Sequence, residues 1–198
     1  MSTTAMLLNS VVWTFQDEGF HAGRRALFVR LPSYEKEYKT WSAWNDEKFI
    51  EMISRETSKL AVITGGEPFE CLQLERIISI LKSSGFQISI ETKGSEKIEN
   101  YYDWITCSPT KENDYKIDEN LKKYINEYNY VVDQNFDLFL LDRHNDDDYK
   151  VSLYLSPDYN DFQKSFNIIS NYIKDHKRWR FSLSVYKYIN SFNGKYST

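Results

Sequence analysis

Apolar positions along this chain fall into short continuous runs, separated by longer stretches with a helical period. ALFVRL (26–31), LAVIT (60–64), FQISIE (86–91), WITCS (104–108), YNYVVD (128–133), VSLYLS (151–156) and RFSLSV (180–185) read as strands. Continuous apolar runs are what parallel strands, covered on both faces, require. Between them, residues 46–57 place Phe49, Ile50 and Ile53 on one helical face, and residues 70–83 place Cys71, Leu74, Ile78 and Leu81. Residues 117–127 use Ile117, Leu121, Tyr124 and Ile125, and residues 161–175 use Phe162, Phe166, Ile169 and Ile173. The alternation predicts right-handed βαβ units around a mainly parallel sheet of about six strands, an α/β fold class. The acidic run LDRHNDDDYK (141–150) reads as a solvated loop, and neither a repeat nor a linker divides the chain.

Composition narrows the function classes. A chain of 198 residues that is 41% hydrophobic and 27% charged can bury a substantial core. The net charge of −4, with both signs interspersed, offers no basic field for nucleic acid. The opening MSTTAMLLNSVVW has neither a basic n-region nor a long apolar h-region, so no signal peptide is expected. No apolar run reaches the length of a membrane span, so no membrane association is expected. Cys71 and Cys107 lie far apart without metal-site spacing, which suits a reducing, cytoplasmic setting.

Ligands of parallel α/β folds gather at the carboxyl ends of strands, so residues just after each strand are the candidates. In TGGEP (64–68), Gly65 and Gly66 let a ligand approach the backbone, Glu67 can accept from an ammonium group, and Pro68 stiffens the turn. Alone, such a turn is more often a plain strand–helix connection, with Glu67 capping the helix. Arg30 and Glu91 could equally form a structural bridge across strand ends. His21 reads as a solvent-facing or turn residue, and His144 and His176 as surface residues.

The turn is not isolated. TFQDEGFHAGRRALFVRLP (14–32), TGGEP, ETKGS (91–95), WITCSP (104–109), YLSP (154–157) and RFSLSVYKYI (180–189) occur in one order. Together they resemble the 7-carboxy-7-deazaguanine synthases, radical S-adenosylmethionine enzymes of queuosine-type deazapurine biosynthesis. The resemblance implies one radical-SAM-like domain over residues 1–198, folded as an incomplete (β/α) barrel. It implies S-adenosylmethionine contacts at Gly65, Gly66, Glu67, Pro68, Ser108 and Ser156. It implies a substrate pocket at Gln16, Glu18, Arg30, Glu91 and Tyr186, with Arg30 meeting a substrate carboxylate.

The departures from the family pattern carry as much information. Where family members read G-C-x-x-x-C-x-x-C-D-T after FVRLP, this chain has Tyr34, Tyr38 and Trp41 at the three cysteine positions. Ser33, Ser42 and Ala43 take the Gly, Asp and magnesium-holding Thr positions. Ser156 stands for a Gln, Tyr186 for the substrate His, Lys93 for an Asn and Asp17 for a Gly. Cluster iron needs soft thiolates, which phenol and indole do not replace. The expectation is therefore a pseudoenzyme with no four-iron, four-sulfur cluster, no metal, no assignable catalytic residue and at most weak S-adenosylmethionine binding. It would bind a protein partner or a purine- or pterin-like ligand, and a homodimer stays open. The competing readings are an enzyme of 7-deazaguanine biosynthesis and a new non-radical reaction in the same pocket. At least two of Tyr34, Tyr38 and Trp41 are expected to pack inward near Gly65 and Glu67; the alternative leaves them on the surface as a docking patch.

Overall fold

The computed structural model describes residues 5–32, 41–54, 56–96, 98, 102–145 and 150–192. Two short strands, β1 (Met6–Leu8) and β4 (Ser42–Trp44), pair antiparallel as a small separate sheet. The main sheet is built from β2 (Ser10–Phe15), β3 (Arg25–Leu31), β5 (Leu60–Gly65), β6 (Gln87–Thr92), β7 (Trp104–Cys107), β8 (Glu127–Val132), β9 (Ser152–Pro157) and β10 (Trp179–Phe181). Its order is β10-β9-β8-β7-β6-β5-β3-β2, with every neighbouring pair parallel except the β2–β3 hairpin. The mainly parallel α/β sheet is as expected. ALFVRL lies in its interior, between β2 and β5, and TGGEP follows the next parallel strand.

Alternation along the strands assigns the two faces of the sheet. Leu27, Val29 and Leu31 of β3, Ala61 and Ile63 of β5, Ile88 and Ile90 of β6, and Leu153 and Leu155 of β9 join one buried apolar cluster. Onto it pack Phe49 and Ile53 of α1 (Asp46–Ser54), Ile77 and Leu81 of α2 (Leu74–Ser83), and Ile169 of α4 (Phe162–Asp175). Side chains on a strand point alternately to opposite faces. The intervening residues therefore belong to the other face, and there the chain is polar: Arg30, Thr64, Ser89, Glu91, Thr106, Glu127, Asn129 and Ser156. Ala26, Phe28, Leu60 and Val62 make a small apolar patch on that side. This polar face is the concave one, because the segment after β2 at one sheet edge reaches Ser182 and Ser184 after β10 at the other.

Several expectations about elements need correction. The sheet has eight strands rather than about six: all seven apolar runs form strands, and the N-terminal SVVWTF, whose burial is broken, adds the antiparallel edge strand β2. The helix expected at 117–127 shrinks to α3 (Glu119–Lys122), preceded by Asp114 and Tyr115 with positive φ. The strand expected at 180–185 is only three residues long, and α5 (Val185–Phe192) begins where it was to end. The acidic run is not wholly a solvated loop: Leu138–His144 form a 3-10 turn with Leu141 and His144 buried. His144 is therefore no surface residue; its ring nitrogen meets the Tyr130 hydroxyl at 2.8 Å beneath the Tyr128 ring. Among the described residues, no helix is long and apolar enough to cross a membrane.

Candidate functional site

The residues of TGGEP come together with the ends of β6 and β7. Gly65 has φ +112°, and a Cβ there would sit 2.4 Å from the Leu31 carbonyl oxygen. Its glycine is thus demanded by the close approach of β3, whatever else it serves. The Gly66 amide also donates to the Leu31 carbonyl. Glu67 accepts from the Thr92 hydroxyl at 2.7 Å, from the Lys93 amide at 3.0 Å and, as a cap of the 3-10 turn opened by Pro68, from the Phe69 amide at 3.5 Å. Burial nevertheless raises its carboxyl above the ordinary range. The capping reading of Glu67 describes its present contacts, and its carboxylate also clamps β5 to β6. The Ser108 amide donates to Thr92, and Ser156, buried at the end of β9, donates to the Asn129 side chain at 2.8 Å.

Across the concave face, Gln16 is buried and its amide donates to Glu91 at 2.8 Å. Among the described residues no ion pair joins Arg30 to Glu91, and Arg30 stays exposed on β3. Glu91 is raised above the ordinary carboxyl range, by burial first and then by Glu18. Glu18 pairs with Lys187 of α5 at 3.2 Å. Tyr186 is exposed on the same helix, and its amide lies 3.3 Å from the Asp17 carboxylate. His21 sits in the turn before β3 as one reading had it, but is only 5% exposed, so the solvent-facing alternative fails. Its Nδ1 meets Arg24 at 2.9 Å, and burial with that guanidinium lowers it to about 4, so the ring is neutral. His176 is exposed at the end of α4, as expected.

One residue of this face was not legible from the strand pattern. Glu127 opens β8 at 2% exposure and accepts from the Phe20 amide at 3.0 Å. Burial raises it to about 7, with Glu91 and Glu18 adding like charge. YNYVVD begins one residue too late to include it. Extending the alternation back by one position puts Glu127 on the same face as Asn129 and beside Thr106 of β7.

At the positions where a cluster loop would lie, Tyr34 and Tyr38 fall outside the described residues. Trp41 is half-buried just ahead of β4, and Ser42 and Ala43 are paired in register with Leu8 and Leu7. The thiols do not fit an iron–sulfur cluster. Cys107 is buried, directly behind Gly94, with its thiol pushed far up by burial. Cys71 follows the 3-10 turn, and burial raises it as well. Among the described residues, no group of three or more His, Cys, Asp or Glu could hold a metal ion.

Comparison with known proteins gives the context. No family model matches the chain. It is 30% identical to the 7-carboxy-7-deazaguanine synthase of Buchnera aphidicola subsp. Schizaphis graminum, across 92% of this chain and 97% of that one. The synthase of Haemophilus influenzae is 30% identical over 125 residues, and there the chain spans 59% of its relative's length. Against the synthase of Bacteroides thetaiotaomicron it likewise spans 59%, at 28% identity. Among solved structures, QueE from Escherichia coli superposes with a TM-score of 0.71 at 25% identity, covering 90% of this chain and 93% of that one.

Proposed function

The chain belongs to the 7-carboxy-7-deazaguanine synthase family, and from that premise we propose that it is a member without the cluster: a pseudoenzyme that binds a purine- or pterin-like ligand on its concave face. The observation that carries this reading is the pairing of a polar concave face with a loop that offers no thiolate. In the family pattern the four-iron cluster takes three cysteine thiolates from one loop. This chain has two cysteines in all, neither of them there. On the concave face, Arg30 offers a guanidinium fork to a carboxylate, and Gln16, Glu18 and Glu91 offer donors and acceptors to ring nitrogens. Tyr186, where the family has a histidine, would border this pocket.

S-adenosylmethionine binding at Gly65, Gly66, Glu67, Pro68, Ser108 and Ser156 is proposed to be weak. No iron would chelate its amino and carboxylate groups, and Glu67 and Ser156 are already engaged with Thr92, Lys93 and Asn129. A second reading has one observation in its favour. Burial raises Glu127 to about 7 and shifts Glu91 in the same direction, which is what a non-radical acid–base reaction would use.

Two experiments test the proposal. Anaerobic treatment with iron and sulfide is expected to leave the protein colourless, and a stoichiometric four-iron cluster would overturn the cluster-less reading. Calorimetric titration with 7-carboxy-7-deazaguanine is expected to give measurable binding that Arg30→Ala weakens by about tenfold or more, roughly 1.4 kcal/mol. No heat with this compound, in a folded protein, would remove the ligand half of the proposal.

A further inference from the structure

The segment from Gln16 to His21 joins two adjacent strands of a hairpin, yet its polar contacts reach across the whole sheet. The Gln16 side-chain amide donates to Glu91 on β6 at 2.8 Å. The Phe20 amide donates to Glu127 on β8 at 3.0 Å, and the Gly19 amide to the Ser182 hydroxyl beyond β10 at 3.0 Å. The Ser184 hydroxyl donates to Asp17, and Lys187 pairs with Glu18. Phe20 stacks on Trp104 of β7 with ring centroids 4.5 Å apart. A connection that needed only to turn the chain would make none of these contacts. It is a strap that ties the two edges of the sheet together over the concave face.

We propose that Glu127 is the positioning residue that holds this strap closed, and that its protonation state sets how firmly. It rests on the proposed ligand site in one respect: Gln16 and Glu18 ride on the strap. Among the anchors Glu127 has the distinctive place. Like Glu91 it lies inside the sheet, while Ser182, Ser184 and Lys187 follow the edge strand; unlike Glu91 it accepts from the strap's backbone. The strap is fitted to it: Gly19 has φ +71°, and a Cβ there would come within 2.1 Å of Glu127 Oε1. Only glycine lets the backbone pass so close.

The charged groups around Glu127 set the direction of the pH effect. Glu91 of β6 and Glu18 of the strap act on it with like charge, and burial disfavours its charged form. Lys187 of α5 acts on Glu18 and Glu91, while His21 of the strap stays neutral. The protonated carboxyl is neutral and still accepts from the Phe20 amide. The carboxylate is a desolvated charge beside two others, and opening the strap brings it water. Closure is therefore favoured on the acid side of neutrality and weakened above it.

Amide hydrogen exchange at Gly19 and Phe20 tests this without any ligand. After correction for intrinsic base catalysis, protection in the natural protein is expected to fall by about tenfold between about pH 6 and about pH 8. Glu127→Gln keeps an acceptor oxygen without the charge, so its protection is expected to stay high and flat. Glu127→Ala should lose protection at every pH. A flat profile in the natural protein, or an alanine variant that exchanges like it, overturns the proposal, and the first of these needs no variant to fold. Failure of 7-carboxy-7-deazaguanine to bind would leave the exchange result standing. A flat exchange profile in a protein that binds it would remove the strap alone.

Discussion

Gly65 shows how one residue can be legible for the wrong reason. The sequence points to a glycine that lets a ligand near the backbone, whereas the structure gives it a job in the fold, beneath the Leu31 carbonyl at positive φ. The two roles part under substitution. Gly65→Ala is expected to destabilise the protein by about 2 kcal/mol or more, since the left-handed region is costly for alanine and the β3 backbone blocks its Cβ. An unchanged denaturation midpoint would mean that the glycine serves a ligand only. His144 makes the opposite point. Its acidic neighbours suggested a surface site, because a local window reports the company a residue keeps along the chain and not what folds over it. Tyr130→Phe, which deletes the hydroxyl that meets His144, is expected to cost about 1–3 kcal/mol, measured by chemical denaturation.

Elements were legible where burial is two-sided. The parallel strands announce themselves because both faces are covered, and their ends then locate Arg30, Glu67, Glu91 and Ser156 on one rim without further information. The edge strand β2 was missed because its residues are only partly buried, and the helix at 117–127 was overread because apolar spacing registers neither the Asp118 cap nor the start of β8 at Glu127. Glu127 was lost to a one-residue error of strand start, which matters more on a two-faced sheet than anywhere else. Helix α2 offers a test of the assignment. Leu81→Ala, at a fully buried position, is expected to cost about 2–5 kcal/mol. Leu72→Ala, at 97% exposure just before the same helix, should change stability by less than about 0.5 kcal/mol. Equal costs at the two sites would mean that the packing face of this helix is wrongly assigned.

For the whole molecule, the polar concave face makes stability depend on pH in a definite sense. Glu127 is raised from 4.5 to about 7, with burial the leading cause. Between those values the folded chain binds a proton that the unfolded chain has released, so stability declines as pH rises through the window. The contribution is fully present below the unfolded value and gone once pH exceeds the folded one. Glu91 and Glu67 shift in the same direction, so the natural protein sums several such carboxyls. The difference between it and Glu127→Gln isolates one of them. The variant should gain relative stability from about pH 4.5 upward, levelling above about pH 7 at a ceiling on the order of 3 kcal/mol, the worth of a shift of this size. The strap lowers that ceiling, because a native state that opens locally hydrates the carboxylate without unfolding. A difference curve that levels well short of the ceiling, at the pH where Gly19 and Phe20 lose protection, is the joint signature of a buried acid and a strap that relieves it. A curve that falls instead of rising would place the charge of Glu127 among favourable partners and end both arguments.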